Sequence, residues 1–156
     1  MEITIRRVRP DEMGLLCELD VRIFGSDCFD SPEDWEGLEI FFITTDEQII
    51  GSLALRHNTD VAKRYYDDYT ECVGHLYGVS LGILPDWQDK GIGTQAMRWM
   101  IDYGRKHGFT RIVANARASN IQSIRVQQKA GFEIVRIYSD WYDEPTENSV
   151  VLGRDI

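Results

Sequence analysis

The chain has 156 residues, of which 43% are hydrophobic and 28% charged, as expected for one globular domain over residues 1–156 with its own core. Its formal net charge of −9 disfavours nucleic acid as a partner, because phosphate binding needs a basic surface. No apolar run approaches the ~20 residues of a membrane span, and Met1–Ile5 lacks a charged-then-apolar signal pattern, so we expect a cytoplasmic protein with no membrane partner.

The first third of the chain predicts a strand, two helices and a pair of strands. Ile3–Val8 alternates as a strand does, and Pro10–Glu12 opens a helix because proline and acids favour the first turn. Ser31–Asp34 is a second helix start, with serine as the N-cap and acids at the positive end of the dipole. Ile40–Thr44 and Ile49–Leu55 are predicted strands joined by a polar turn.

The middle of the chain predicts a long loop, a strand and an amphipathic helix. His57–Cys72 is polar, rich in tyrosine and aspartate and without a clear period, which is typical of a loop. Leu76–Leu84 is apolar and strand-like. A stripe of apolar or small residues at every fourth position then predicts a helix that ends at Gly108. The stripe consists of Ile92, Ala96, Met100 and Gly104.

The last third predicts a strand over Arg111–Ala116 and a helix over Asn120–Ala130. Glu133–Tyr138 and Asn148–Leu152 are closing strands on either side of a loop over Ser139–Glu147. This order of elements predicts a mixed sheet with flanking helices.

Residues Gln88–Thr94, which we call the glycine loop, lie between the middle strand and its helix. Gly91 and Gly93 lack side chains, so a ligand can approach the backbone closely there. The first amides of a helix have no partner within the helix, and the dipole favours an anion. The glycine loop therefore predicts a pyrophosphate site. The alternative is a glycine turn that only starts a helix.

Two motifs resemble those of the GNAT N-acetyltransferase superfamily. Gln88–Gly93, Q-D-K-G-I-G, is similar to the Q-x-x-G-x-G acetyl-CoA pyrophosphate motif, and the hydrophobic-x-Pro sequence Ile83–Pro85 precedes it as in that family. The run from Asn120 to Phe132 is similar to the family's N-x-x-S/A…K-x-G-F pattern. One helix and one strand separate the two motifs, in the order that the family has.

The resemblance implies an α/β fold of the GNAT type, with a mixed, mostly antiparallel, twisted sheet flanked by about four helices. It also implies acetyl transfer from acetyl-CoA to a primary amine, on a cationic small molecule or a peptide. We expect no metal and no disulfide framework, because Cys17, Cys28 and Cys72 are widely spaced and share no ligand spacing with the histidines. The sequence leaves a homodimer open.

The resemblance further implies which residues hold the cofactor. The amides of the glycine loop would face the pyrophosphate, and the backbone of Leu81–Ile83 would pair with the pantetheine arm and polarise the thioester carbonyl. Lys90 would add positive charge or remain solvated, and Asn120 can also serve as a helix N-cap. The implied cofactor-binding residues are Leu81, Gly82, Ile83, Gln88, Asp89, Lys90, Gly91, Ile92, Gly93, Thr94, Asn120 and Ser123.

A base must take a proton from the amine, because a lysine-like amine has a pKa of ~10.4 and arrives charged. Many relatives use a carboxylate on the strand before the loop, but eleven residues before Gln88 this chain has Tyr77. His75 shares that strand face and has a pKa better suited to a base, while Glu71 could act through water. Alternatively, Tyr77 packs or contacts the acceptor and His75 is structural.

The thiolate must gain a proton, and here the chain departs from many relatives. They carry a tyrosine seven residues after the motif asparagine, whereas this chain has Gln127, which cannot transfer a proton. This departure resembles the branch that acetylates ribosomal-protein N-termini. It leaves Tyr138, Tyr142 or solvent as the proton donor.

The segments that wall the acceptor groove in this fold are acidic here and contain aromatic side chains. Acids with aromatics suit a cation, by charge and by cation–π contact, although loops of any acidic protein can carry solvated acids. The acids are Asp27, Asp30, Glu33, Asp34, Asp60, Asp67, Asp68, Glu71, Asp140, Asp143, Glu144 and Glu147, interleaved with Tyr65, Tyr66, Tyr69, Trp141 and Tyr142.

Two other functions compete with the acetyltransferase. A non-catalytic acyl-CoA-binding sensor or interaction module is favoured by the missing tyrosine and the missing strand carboxylate. A nicotinamide enzyme is disfavoured: Gly91–Ala96 satisfies G-x-G-x-x-A, but the first glycine is not at the strand end and no acid follows on the next strand. A P-loop is excluded because no Gly-Lys-Ser/Thr follows.

Overall fold

The structure of the protein, a computed structural model, describes residues 2–57 and 74–156. Within these ranges no helix combines the length and apolarity needed to cross a bilayer. The strands and helices are β1 (Thr4–Arg7), α1 (Met13–Phe24), β2 (Glu39–Thr45), β3 (Gln48–Arg56), β4 (His75–Ile83), α2 (Ile92–Lys106), β5 (Arg111–Arg117), α3 (Ile121–Lys129), β6 (Glu133–Tyr142) and β7 (Glu147–Asp155).

The strands form a seven-stranded sheet in the order β1-β2-β3-β4-β5-β7-β6. The pairs β1–β2, β2–β3, β5–β7 and β6–β7 are antiparallel, whereas β4 and β5 are parallel. The predicted mixed, mostly antiparallel sheet is therefore confirmed. The strand and helix order predicted from the sequence is confirmed too, apart from the two corrections below.

Only the first of the two helices predicted before β2 is an α-helix, and the described residues contain three α-helices, where the resemblance implied about four. Ser31 does cap a helical turn, accepting a hydrogen bond from the Glu33 N–H, but the turn is a short 3₁₀ helix over Pro32–Trp35. Gly37 follows with a φ of 74°, and β2 begins at Glu39. Ser31 thus starts a helical turn as predicted, but the extended backbone of Glu36 ends the turn before a longer helix can form.

The predicted loop over Ser139–Glu147 was too long. β6 continues to Tyr142, which pairs with Glu147 of β7, and the register shifts between Tyr138 and Tyr142. Asp140 has a φ of 52° in this irregular stretch, and its N–H donates to Asn148 Oδ1 at 3.1 Å. A polar bulge therefore stands where the sequence pattern indicated a loop. The predicted loop over His57–Cys72 lies almost entirely outside the described residues.

The chain divides into two compact units, Met1–Arg56 with Val79–Ala96 and His57–Gly78 with Met97–Ile156. In the first unit, α1 packs its apolar side into a core with strand side chains and the buried Trp35. Spacing of apolar residues along α1 explains which side is buried. The core residues are Leu16, Cys17, Leu19, Trp35, Phe42, Ala54 and Leu84.

In the second unit, β4 begins beside β5, and α2 contributes a buried stripe that includes Met100 and Ile101. At Gly104 the backbone of α2 lies directly against Ile156, because a Cβ on this glycine would lie only 2.6 Å from Ile156 Cδ1. The C-terminal Ile156 therefore fills the space that the glycine leaves.

Candidate functional site

The glycine loop follows a tight exit from β4 in the first unit. After Ile83 a 3₁₀ turn over Pro85–Trp87 leads into the loop. Asp89 and Gly91 have φ values of 61° and 79°, the left-handed region that aspartate tolerates and glycine favours. A Cβ placed on Gly91 would meet no atom within 4 Å, so the space beside this backbone is open.

The start of α2 presents amides without helical partners. Its first hydrogen bond of the i to i−4 type runs from the Gln95 N–H to the Gly91 carbonyl at 3.1 Å. The N–H groups of Ile92, Gly93 and Thr94 precede that bond and so have no acceptor within the helix. The buried Ile92 side chain fixes this turn to the core, while Lys90 is exposed beside it. The arrangement can bind an anion through backbone amides.

The end of β4 presents one edge to β3 and the other away from it. The Leu84 N–H donates to the Ile50 carbonyl at 2.8 Å, which places Leu84 on the β3 side. Backbone groups of successive residues point to alternate edges, so those of Leu81 and Ile83 point away from β3. The Ile83 carbonyl accepts a hydrogen bond from Gln88 Nε2 at 3.0 Å. The Gln88 side chain thus ties the glycine loop to the strand end.

The second motif lies at the start of α3, in the second unit. Asn120 is the N-cap, and its side chain accepts a hydrogen bond from the Ser123 N–H at 3.2 Å. Ser123 Oγ accepts in turn from Gln127 Nε2 at 3.3 Å. Gln127 is only 5% exposed, and among the described residues its Oε1 is buried with no hydrogen-bond partner. This side chain therefore carries a desolvated acceptor rather than an acid.

His75 and Tyr77 lie together on the first half of β4, as predicted. Their ring centroids are 6.4 Å apart, and Tyr77 is 2% exposed. The parallel ladder with β5 covers this half of the strand, from His75↔Arg111 to Gly78↔Ala114. Tyr77 is therefore a core residue of the second unit as well as a candidate for the site. Glu71, the third predicted base, lies outside the described residues, as do the acids and tyrosines predicted between residues 60 and 71.

Tyr142 and Tyr138, the predicted proton donors, have different surroundings on β6. The Tyr142 hydroxyl accepts a hydrogen bond from Asn115 Nδ2 at 2.6 Å, and the Arg117 guanidinium carbon lies 4.5 Å from its ring centroid. Tyr138 instead accepts from Arg136 Nη1 at 3.3 Å and lies against Trp141, with centroids 5.2 Å apart. The structure thus places Tyr142 in contact with β5.

Arg117 holds the turn that follows Tyr142. Its guanidinium donates to the carbonyls of Asp143 and Pro145, at 3.0 Å and 2.8 Å, and to Glu147 Oε2 at 3.2 Å. Hydrogen bonds from Ser119, followed by those from Arg117, lower the pKa of the Glu147 carboxyl below its ordinary value. Glu147, predicted as part of an acidic acceptor loop, is therefore already paired within the protein.

Asn115 and Arg117 were missed by the sequence analysis as site residues. Both lie on β5, and their partners, Tyr142 and Glu147, lie 27 and 30 residues further along the chain. No local pattern connects residues so far apart. The alternation of β5 could have indicated that Asn115 and Arg117 share one face, but not what that face contacts.

Comparison with known proteins decides the family. The family model described as "Acetyltransferase (GNAT) family" matches residues 11–132, a stretch that contains both motifs. The chain belongs to the GNAT acetyltransferase family.

The curated relatives of this GNAT chain are named as N-acetyltransferases. It is 31% identical over 87 residues to N-alpha-acetyltransferase 50 of Danio rerio, a match that covers 54% of this chain and 52% of that protein. The chain thus spans about half the length of the curated relatives that it matches.

Two solved acetyltransferase structures have the same fold. The ribosomal-protein-S18-alanine N-acetyltransferase of Escherichia coli superposes with a TM-score of 0.80 at 17% identity, covering 99% of this chain and 94% of that one. A Bacillus subtilis acetyltransferase in complex with CoA superposes with a TM-score of 0.75 at 21% identity, covering 99% and 98%. At these identities the structures show the fold alone.

Proposed function

We propose that this protein is an N-acetyltransferase, formed by residues 1–156 as one domain, that transfers an acetyl group from acetyl-CoA to a primary amine. The observation that carries the proposal is the run of N–H groups at Ile92, Gly93 and Thr94 that precede the first hydrogen bond of α2. These amides, with the open space beside Gly91, suit a pyrophosphate. Family membership and the CoA complex of a structural relative support the same assignment.

The backbone of β4 would hold the thioester end of the cofactor. The groups of Leu81 and the N–H of Ile83 point away from β3, while Gln88 satisfies the Ile83 carbonyl. An extended pantetheine arm can hydrogen-bond to such a strand edge as another strand would. An N–H aimed at the thioester carbonyl oxygen would stabilise the negative charge that develops there.

Proton transfer would use His75 as the base and Tyr142 as the acid. His75 is half-buried, and imidazole is the side chain best suited by its reference pKa to act as a base near neutral pH. Asn115 donates to the Tyr142 hydroxyl oxygen and so holds Tyr142 against β5, the strand that pairs with the half of β4 on which His75 lies. We prefer Tyr142 to Tyr138 for this reason.

The proposed acceptor is a peptide amine or a cationic small molecule. One relative is named an N-alpha-acetyltransferase, and one structural neighbour is named an N-acetyltransferase of an alanine of ribosomal protein S18, which favours a peptide amine as the acceptor. The exposed acids Asp140, Asp143 and Glu144 favour an acceptor with a second positive charge.

The test of the cofactor site is calorimetric titration with acetyl-CoA. We expect one binding site in the wild type and none in Gly93→Asp, because the substitution places a side chain and a negative charge beside the phosphate position. Circular dichroism and a melting curve would establish that the variant is folded. Unchanged affinity in a folded Gly93→Asp protein would refute the site.

A non-catalytic acyl-CoA-binding module is the second candidate, because the buried Gln127 occupies the position at which many relatives carry a tyrosine that acts as the general acid. The two candidates differ in turnover. An enzyme releases CoA thiol at a rate that depends on added amine, whereas a sensor binds acetyl-CoA and releases none.

A further inference from the structure

Gly82 lies in the middle of the strand end that is proposed to pair with the pantetheine arm, and its surroundings leave no room for a side chain. A Cβ on Gly82 would lie 2.7 Å from Phe24 Cε2, 2.8 Å from Phe24 Cζ and 2.9 Å from Ile23 Cγ2. Real Cβ atoms essentially never come that close to another heavy atom. The Phe24 ring therefore rests directly against the Gly82 backbone.

The direction of this contact follows from strand geometry. A side chain leaves a strand roughly perpendicular to the sheet, whereas backbone N–H and C=O groups lie in its plane. Phe24 thus covers one sheet face at Gly82, beside the edge to which the Leu81 and Ile83 groups point. On the β3 side the strands approach closely, since a Cβ on Gly51 would lie 2.3 Å from the Gly82 carbonyl oxygen. Neither β3 nor the Phe24 side leaves space beside Gly82.

The backbone that carries the Phe24 ring is held in place. Phe24 is the last residue of α1, and Gly25 caps the helix with a φ of 57° and an N–H that donates to the Val21 carbonyl. The helix is anchored in the core of the first unit by Leu16 and Leu19, which are 0% and 5% exposed. The anchored helix end fixes the backbone from which the ring extends, so the ring can leave Gly82 only by rotating about its own side-chain bonds.

We propose that Phe24, supported by Ile23, limits the acyl group that the protein accepts to acetyl. The inference rests on the proposed function, in which the Leu81 and Ile83 N–H groups hold the thioester carbonyl. An acyl chain attached at that point and extending over the α1 face would meet the Phe24 ring after its first carbons. Phe24 is in this sense a specificity-determining residue, and Gly82 is the position that lets the ring approach.

The experiment is calorimetric titration of CoA, acetyl-CoA and butyryl-CoA into wild type, Phe24→Ala, Phe24→Leu and the control Val21→Ala. Val21 lies on the same helix but is 47% exposed. One methylene in a fitted apolar site changes discrimination ~10- to 200-fold. We therefore expect wild type and Val21→Ala to bind acetyl-CoA at least about tenfold more tightly than butyryl-CoA.

In Phe24→Ala the preference for acetyl-CoA over butyryl-CoA should fall to about threefold or less, because the missing ring has more volume than the two carbons that butyryl adds to acetyl. The affinity for CoA, which carries no acyl group, should be unchanged. Phe24→Leu keeps an apolar side chain for the fold and should give an intermediate preference. Equal affinity of the wild type for acetyl-CoA and butyryl-CoA would overturn this inference but not the proposed function. An equal loss of affinity for CoA, acetyl-CoA and butyryl-CoA in both Phe24 variants would do the same. Failure of wild type to bind CoA itself would overturn the proposed function and this inference with it.

Discussion

Replacing Gly91 with alanine tests whether the glycine loop binds phosphate or only starts a helix. Gly91 has a φ of 79°, and a Cβ there would meet no atom within 4 Å, so the variant can fold with strain but without a clash. An L-residue in the left-handed region costs about 1–2 kcal/mol. For a protein of this size we therefore expect the melting temperature to fall by ~2–8 °C.

Gly108 provides a matched control just past the other end of α2. Its φ is 80°, and a Cβ there would also meet no atom within 4 Å, so Gly108→Ala carries the same backbone strain. The two variants should therefore lose similar stability. Only Gly91→Ala places a methyl group beside the amides proposed to bind phosphate, and losing one hydrogen bond to a charged group costs ~1.5–3 kcal/mol.

The assay is calorimetric titration with CoA, together with thermal unfolding of both variants. Gly91→Ala should bind CoA at least about tenfold more weakly than wild type, and Gly108→Ala should bind as wild type does. Wild-type affinity in both variants would refute the phosphate role of the loop. An equal loss of affinity in both would show that strain in α2, rather than the ligand, is responsible.

Three further predictions concern stability and chemistry. A hydrogen bond from Arg6 lowers the pKa of Glu12 to about 2. The Glu12 carboxylate therefore stabilises the fold fully above its ordinary pKa of 4.5, and this stabilisation is lost as the pH falls through 2. At pH 7 the Glu12→Gln variant should unfold at a lower urea concentration than wild type, and the difference between the two midpoints should shrink between pH 4.5 and pH 2. Tyr142→Phe should lower kcat by ~100-fold or more while Tyr138→Phe stays near wild type, and equal rates in both would make solvent the acid. Acceptors with a second positive charge should have a lower KM than neutral amines of similar size. This difference in KM should shrink as the ionic strength rises above ~0.15 M, where the screening length is ~8 Å. A preference for neutral amines that does not depend on salt would mean that the acidic loops are only solvated surface.

The elements that the sequence predicted well are those with a strong local cause. The stripe from Ile92 to Gly104 predicted α2, and Gly108 with a φ of 80° does end it. Asn120 predicted the start of α3 and is its N-cap. Ser31 failed as a helix signal because a cap fixes only the first turn, and the left-handed Gly37 turns the chain toward β2.

The glycine loop could be predicted from the sequence because its proposed role depends on backbone conformation, which glycine residues indicate directly. The surroundings of Tyr142 could not be predicted from the sequence, because they depend on hydrogen bonds that Asn115 and Arg117 make across the β5–β7–β6 part of the sheet. The contact of Phe24 with Gly82 was also hidden, since it joins residues 58 positions apart by shape alone. Local chemistry can be predicted from local sequence, whereas contacts between distant elements require the fold.

The most direct test of the proposed function is acetyl transfer itself. Wild-type protein would be incubated with acetyl-CoA and a panel of amines that includes peptides with free N-termini, polyamines and neutral amines, with thiol release and the mass of each amine recorded. We predict amine-dependent thiol release, a product that carries one added acetyl group, and loss of both in Gly93→Asp. Tight binding of acetyl-CoA with no acetylated product from any amine would contradict the enzyme assignment and favour a non-catalytic acyl-CoA-binding module.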